Sequence, residues 1–235
     1  MGQENPFGWE LIQKGLPMQF EILNEYVKEN KCRVMTMAES GEWYKKNFSE
    51  TPPATIGARN ILGNDIGESQ WYYCKNYRVN FVSEGDEFYI RDIYKFDETF
   101  VENAYSQPCR EWSITYENLP VMQGYLWRKA ETDRAGIYFD GQFGGMKAYK
   151  DGSDFIIEVK LDNETVKISM TEEKITINTQ KDIRFVVKDD VNIRFNETEI
   201  LYRYNDKRYS IHLIGKCDAK GVISPVNGEI VFTMA

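Results

Sequence analysis

The whole chain contains one histidine, His212. A histidine-activated Ser or Cys nucleophile needs that imidazole plus partners converging on it, and nothing in the sequence argues for such partners. Transition-metal sites combine His with Cys or carboxylates at ligand spacing, and His212 has no such neighbours. No metal site and no cofactor is therefore expected. His212 alternates with Ile211 and Leu213, which places it on the polar face of a strand. Aspartates and glutamates number 37. Many fall in turns, as do Asp86, Asp140, Asp151, Asp162, Asp189, Asp190 and Asp206, where a carboxylate caps local backbone N–H groups. The stretch Gly141-Gln142-Phe143-Gly144-Gly145 lacks the Lys-Ser/Thr and following helix of a phosphate loop and reads as a turn.

Two other sets of residues could do chemistry or binding. Thr36 and Glu39 have the spacing of a capping box, with hydroxyl and carboxylate closing a helix start. They also follow a short apolar run, Val34-Met35. If that run is a strand of a βα barrel, Glu39 stands on the rim where such barrels place their sites. The second set is aromatic. In Trp71-Tyr72-Tyr73, alternation sends Trp71 and Tyr73 to one face of a strand and Tyr72 to the other. Tyr125 and Trp127 form a similar pair. An exposed indole or phenol face can stack on the apolar face of a sugar ring. Packing in a core is the plainer use of the same residues.

The elements that would carry these residues change character along the chain. Pro17 suits the first turn of a helix, and Leu16, Phe20, Leu23 and Val27 recur at helical spacing. That helix is expected to end near Asn30. Residues 32–37 are expected to form a short buried strand, and a second helix runs from the capping box to about Phe48. Pro52 and Pro53 break it, and residues 51–57 read as a linker. From about residue 58 the period is two. Glu84-Gly85-Asp86 marks a hairpin between Val79-Asn80-Phe81 and Phe88-Tyr89-Ile90. In the last third, short apolar strands are separated by Asp162-Asn163, Asp189-Asp190, Asn205-Asp206 and Asn227-Gly228. Val166, Ile168 and Met170 face one way while Lys167 and Ser169 face the other. The expected fold class is mainly β: an antiparallel β-sandwich over 58–235, preceded by one helix–strand–helix unit over 1–50.

Composition sets further bounds. A chain of 235 residues can bury a sizeable core without staples. Its net charge of −8 argues against a nucleic-acid partner. No apolar run reaches the roughly 20 residues of a membrane span, so no membrane partner is expected. The N-terminus lacks the basic and apolar regions of a secretory leader, which fits a cytoplasmic chain. Cys32, Cys74, Cys109 and Cys217 are scattered and read as reduced thiols. Cys74 with Cys109 is the one pairing worth considering. Aromatics at 14% suit both β-sheets and sugar-binding faces.

The segment GLPMQFEILNEYVKENKCRVMTMAESGEWYKKNFSETPP resembles the final barrel repeat of bacterial polysaccharide-deacetylase-like and glycoside-hydrolase-like proteins. QWYYCKNYRVNFVSEGDEFYIRDIYKF resembles the opening of the β-sandwich domain that follows such barrels. The resemblance implies carbohydrate as the substrate class. The metal-binding and acid/base residues of those proteins lie on earlier barrel strands, which this sequence does not contain. Only Thr36 and Glu39 carry over, as rim positions. The implied reading is a C-terminal fragment of a carbohydrate-active enzyme, non-catalytic alone, whose parent would be secreted or periplasmic. Glycan contact would run through Trp71, Tyr73, Tyr125 and Trp127. Two other readings stay open: a free-standing carbohydrate-binding module, and a subunit that completes a partner's barrel. Self-association or a partner chain is expected through residues 16–48, whose lone strand would lack neighbours.

Overall fold

The computed structural model describes residues 8–59, 66–99, 108, 120–124, 134–187, 193–204 and 207–235. Two compact units divide the chain, Met1–Glu50 and Thr51–Ala235. The first is helical. A single turn, α1 (Trp9–Ile12), precedes α2 (Gly15–Lys28), and α3 (Met37–Asn47) follows. Pro17 lies in the first turn of α2, where its missing N–H costs nothing. Asn30 ends that helix in the left-handed region, at φ 57°. The Lys31 N–H donates back to the Tyr26 carbonyl and the Asn30 N–H to Val27. This is a Schellman ending, with Asn in the place glycine usually takes.

The strand expected over 32–37 is not formed. Residues 32–36 run as an irregular connector, and Thr36 is already the N-cap of α3. Val34 is 68% exposed and Met37 88%. Among the described residues no neighbouring strand offers its N–H and C=O groups to this segment. A strand without a partner has nothing to hold it extended and paired. No residue of the three helices is buried.

The second unit is the expected antiparallel sandwich. Its first sheet opens with β1 (Ala54–Arg59), β2 (Ile66–Tyr73), β3 (Tyr77–Glu84), β4 (Glu87–Lys95), β5 (Pro120–Gln123) and β6 (Gly136–Phe139). The first strand thus begins inside the segment read as a linker. The chain then builds the second sheet with β7 (Phe143–Asp151), β8 (Asp154–Leu161), β9 (Glu164–Met170) and β10 (Lys174–Asn178). It returns for β11 (Ile183–Val186), crosses for β12 (Ile193–Phe195), β13 (Glu199–Tyr204) and β14 (Lys207–Ile214), and returns for β15 (Lys216–Cys217) and β16 (Val222–Ser224). The last strand, β17 (Glu229–Thr233), joins the second sheet. The first sheet runs β1-β2-β3-β4-β6-β11-β16-β15, with β5 also on β4. The second runs β12-β13-β14-β17-β10-β9-β8-β7.

Alternation explains why these segments are strands. Val166, Ile168 and Met170 of β9 are buried while Glu164 and Lys167 are not. The β8–β9 hairpin turns at Asp162, whose φ of 56° a short polar side chain tolerates. Asn227 and Gly228 both take positive φ between Val226 and Glu229, the geometry of a type I′ turn. One core lies between the sheets. Tyr72 of β2 stacks on Phe155 of β8, with ring centroids 6.2 Å apart. The Tyr77 hydroxyl donates to the Thr171 carbonyl at 2.7 Å, and Asn76 Nδ2 to the Glu172 carbonyl at 2.8 Å, so polar clasps close this end of the sandwich. Cys74 and Cys217 are buried free thiols, so Cys74 makes no disulfide. Cys109 lies outside the described residues.

Candidate functional site

The chain's most chemically concentrated surface is the side of β2, β3, β4 and β5 that points away from the core. Tyr72, Val79, Phe81, Ile90, Ile93 and Met122 fill the inner side of these strands. Their alternate neighbours must therefore point outward. Register then lines up two rows across the sheet. Trp71 pairs with Asn80, Asn80 with Asp92, and Asp92 with Gln123. Beside them Tyr73 pairs with Arg78, and Arg78 with Tyr94.

A bulge adds one more group. The β3–β4 register shifts between Asn80 and Phe81, so that Phe81 faces Ile90 and Asn80 faces Asp92. Arg91 is the extra residue, and a bulge re-aims the side chains beside it. Its guanidinium carbon sits 5.8 Å from the Trp71 ring centre. The Arg78 guanidinium carbon is 5.7 Å from the same ring and 4.0 Å from the centre of Tyr94. Two cations thus share one indole, within the range where the ring quadrupole attracts them.

Hydrogen bonds hold the polar members in place. Arg91 Nε donates to Asp92 Oδ2 at 2.7 Å, and the Gly124 N–H to Asp92 Oδ1 at 3.2 Å. Gly124 is needed here for space, because a Cβ on it would lie 2.7 Å from Arg91 Cγ and 3.2 Å from the Ala135 carbonyl. Ser69 Oγ donates to Asn80 Oδ1 at 3.0 Å. Asn80 is 0% exposed and Asp92 3%, whereas Trp71, Tyr73, Arg78 and Arg91 are partly exposed. Burial raises the Tyr94 hydroxyl above its ordinary range and the Asp92 charge adds to that, while Arg78 opposes it. The face therefore combines partly exposed aromatic surface with fixed donors and one fixed carboxylate. Such a set can grip a polar ligand that also has an apolar face.

Of the residues singled out in the sequence, Trp71 and Tyr73 stand on this face and Tyr72 in the core, as alternation required. Tyr125 and Trp127 lie outside the described residues. Thr36 and Glu39 form a complete capping box. Glu39 N–H donates to Thr36 Oγ1 at 3.2 Å, and Glu39 Oε2 accepts from Thr36 N at 2.8 Å and from its hydroxyl at 2.9 Å. The backbone bond from Thr36 is the main reason that the Glu39 carboxyl titrates below its usual range. No strand leads into this helix start, so the barrel-rim geometry expected of the pair is absent. His212 is exposed on β14 and bonds Glu199 at 3.1 Å. Among the described residues no group of three or more His, Cys, Asp and Glu side chains could hold a metal ion. No described helix is long and apolar enough to cross a membrane.

Arg91, Asp92 and Tyr94 carry no local sequence signal that would place them on this face; the β3–β4 register does. Arg78 and Asn80 were legible as the polar partners of Val79 and Phe81, but nothing local placed them beside Trp71. Compared with known proteins, the chain matches no family model, no curated protein and no solved structure.

Proposed function

We propose that the β-sandwich recognises carbohydrate in the service of a carbohydrate-active enzyme of the polysaccharide-deacetylase or glycoside-hydrolase type, by binding rather than by turnover. The observation that supports this reading most is the outer face of β2–β4. A partly exposed indole, Trp71, sits there among two guanidiniums, a buried amide and a buried carboxylate. An indole offers a broad apolar face for a pyranose ring, and Arg, Asn and Asp supply the directional bonds that hydroxyl groups need. As a free-standing module, the chain would use the same face.

A second reading concerns the helical unit. Leu16, Phe20, Leu23 and Val27 form one stripe of α2, while Met18, Ile22 and Tyr26 form another. A helix apolar on more than one side belongs inside a larger assembly. In this reading residues 16–48 complete a partner's barrel or pair with a second copy.

Glycan retention tests the first reading. Wild-type chain should be retarded by immobilised polysaccharide, and Trp71→Ala should abolish the retardation. A partly exposed tryptophan should cost about 1–2 kcal/mol of stability on truncation, below the roughly 3–5 kcal/mol of a core position. A wild type that no glycan retards would overturn the reading.

A further inference from the structure

Arg78 and Asn80 stand two residues apart on β3, so both side chains leave the same side of the sheet. Each carries one buried side-chain nitrogen without a partner among the described residues. Asn80 spends its Oδ1 on Ser69, and its Nδ2 is buried without a partner. Arg78 Nε is buried without a partner too. Among the described residues no carboxylate forms a salt bridge with Arg78, which is held by its stacking on Tyr94. Asp92, on the next strand, has both oxygens engaged by Arg91 and Gly124. Buried donors are nearly always paired in folded proteins. Among the described residues this face therefore lacks acceptors. Its charge is also unbalanced, with two guanidiniums against one carboxylate, on a molecule whose net charge is −8.

Resting on the carbohydrate reading, we propose that this face selects an acidic sugar, a uronic acid residue. Its carboxylate meets the partly exposed guanidinium of Arg78, and its ring lies against Trp71. A planar carboxylate suits a guanidinium because its two oxygens can meet two N–H groups side by side, as a lone hydroxyl cannot. Asp92 then serves as a positioning residue. It orients Arg91 and accepts the backbone N–H that anchors β5 to the face, without touching the acid.

Calorimetric titration of the full chain separates this from its alternatives. The probes are polygalacturonate, alginate, fully methyl-esterified pectin, dextran sulfate and a neutral glucan. The expected result is binding of a uronate polymer at least tenfold tighter than the ester or the glucan, weakening as salt is added. Arg78→Gln should lose at least tenfold on the uronate and nothing on the ester. Arg78→Lys should recover part of the loss, because it restores the charge but not the planar fork. If Arg78→Gln fails to fold, the acid-to-ester ratio of the wild type and the Arg78→Lys titration still decide. Equal affinity for acid and ester overturns the uronate proposal and leaves carbohydrate binding standing. Binding of dextran sulfate alone overturns it in favour of a generic anion site. Binding of none of these glycans overturns it together with the reading it rests on.

Discussion

Asp97 shows how one carboxylate can tie two sheets together. It lies just past β4 and accepts from the Thr99 N–H at 2.8 Å and its hydroxyl at 2.6 Å. From β14 of the other sheet it accepts Lys207 Nζ at 3.1 Å and the Tyr209 hydroxyl at 3.0 Å. The Thr99 bonds are the largest cause of a carboxyl held far below its ordinary 3.8, with Lys207 and Tyr209 adding to them. A depressed folded value stabilises the protein fully above the unfolded value, and the gain is lost as pH falls below it. Asp97→Asn should therefore lower Tm by about 2–4 °C at pH 7. The gap to wild type should shrink as pH drops below 3.8. A constant gap down to pH 2 in melts followed by circular dichroism would show that Asp97 acts through packing alone. Arg91 on the outer face of β2–β5 is likewise placed by its surroundings. Strict alternation from Asp92 would send Arg91 inward. The bulge beside Asn80 turns it toward Trp71, and no local pattern in FVSEGDEFYIRDIYKF announces that bulge.

Among the elements, α2 is the least settled. Its Phe20 is 53% exposed and Ile22 52%, on opposite stripes. Exposed apolar surface of this extent drives association. The full chain should therefore self-associate with rising concentration, as read by light scattering. The double variant Phe20→Glu with Ile22→Glu should return it to monomer and leave the glycan retention proposed for the β unit unchanged. A wild type that stays monomeric at high concentration would remove the case for a docking helix. The neighbouring connector, residues 32–36, makes the complementary point. Val34-Met35 satisfies the local pattern of a buried strand, yet a strand is a pairing. Without a second strand, the same residues serve as a run-up to the Thr36 cap. The cap itself was readable, because both of its bonds join residues three apart.

The whole molecule is uneven in burial. Among the described residues of the helical unit none is buried in a helix, while Ile157, Ile168, Ile175, Ile177, Ile230 and Phe232 of the second sheet are at most 0% exposed. Hydrogen exchange should reflect this contrast, because local opening is cheap where few apolar contacts resist it. Amides of α2 and α3 should exchange within seconds to minutes. Those of β8, β9, β10 and β17 should exchange orders of magnitude more slowly. Equal protection in the two units would mean that the helices gain contacts in solution, as the association proposal predicts at high concentration. Repeating the measurement at low and high protein concentration separates the two outcomes.

Local chemistry in the sequence determined the strands of the last third, the turns at Asp162 and Asn227-Gly228, the α3 capping box and the split of Trp71 from Tyr72 across a sheet. Each depends on residues within a few positions of one another, through a period of two, a left-handed φ or a short-range hydrogen bond. Only the tertiary structure decided which strands became neighbours. Trp71 meets Asn80, Asn80 meets Asp92 and Asp92 meets Gln123 because β2 to β5 pair in one register. That register is fixed by which apolar side chains must face the second sheet, since a slip of one residue would turn each strand's core face to solvent. The pairing that gathers two arginines, an amide and a carboxylate around one indole is thus a consequence of burying Tyr72, Val79, Phe81 and Ile93 on the other side.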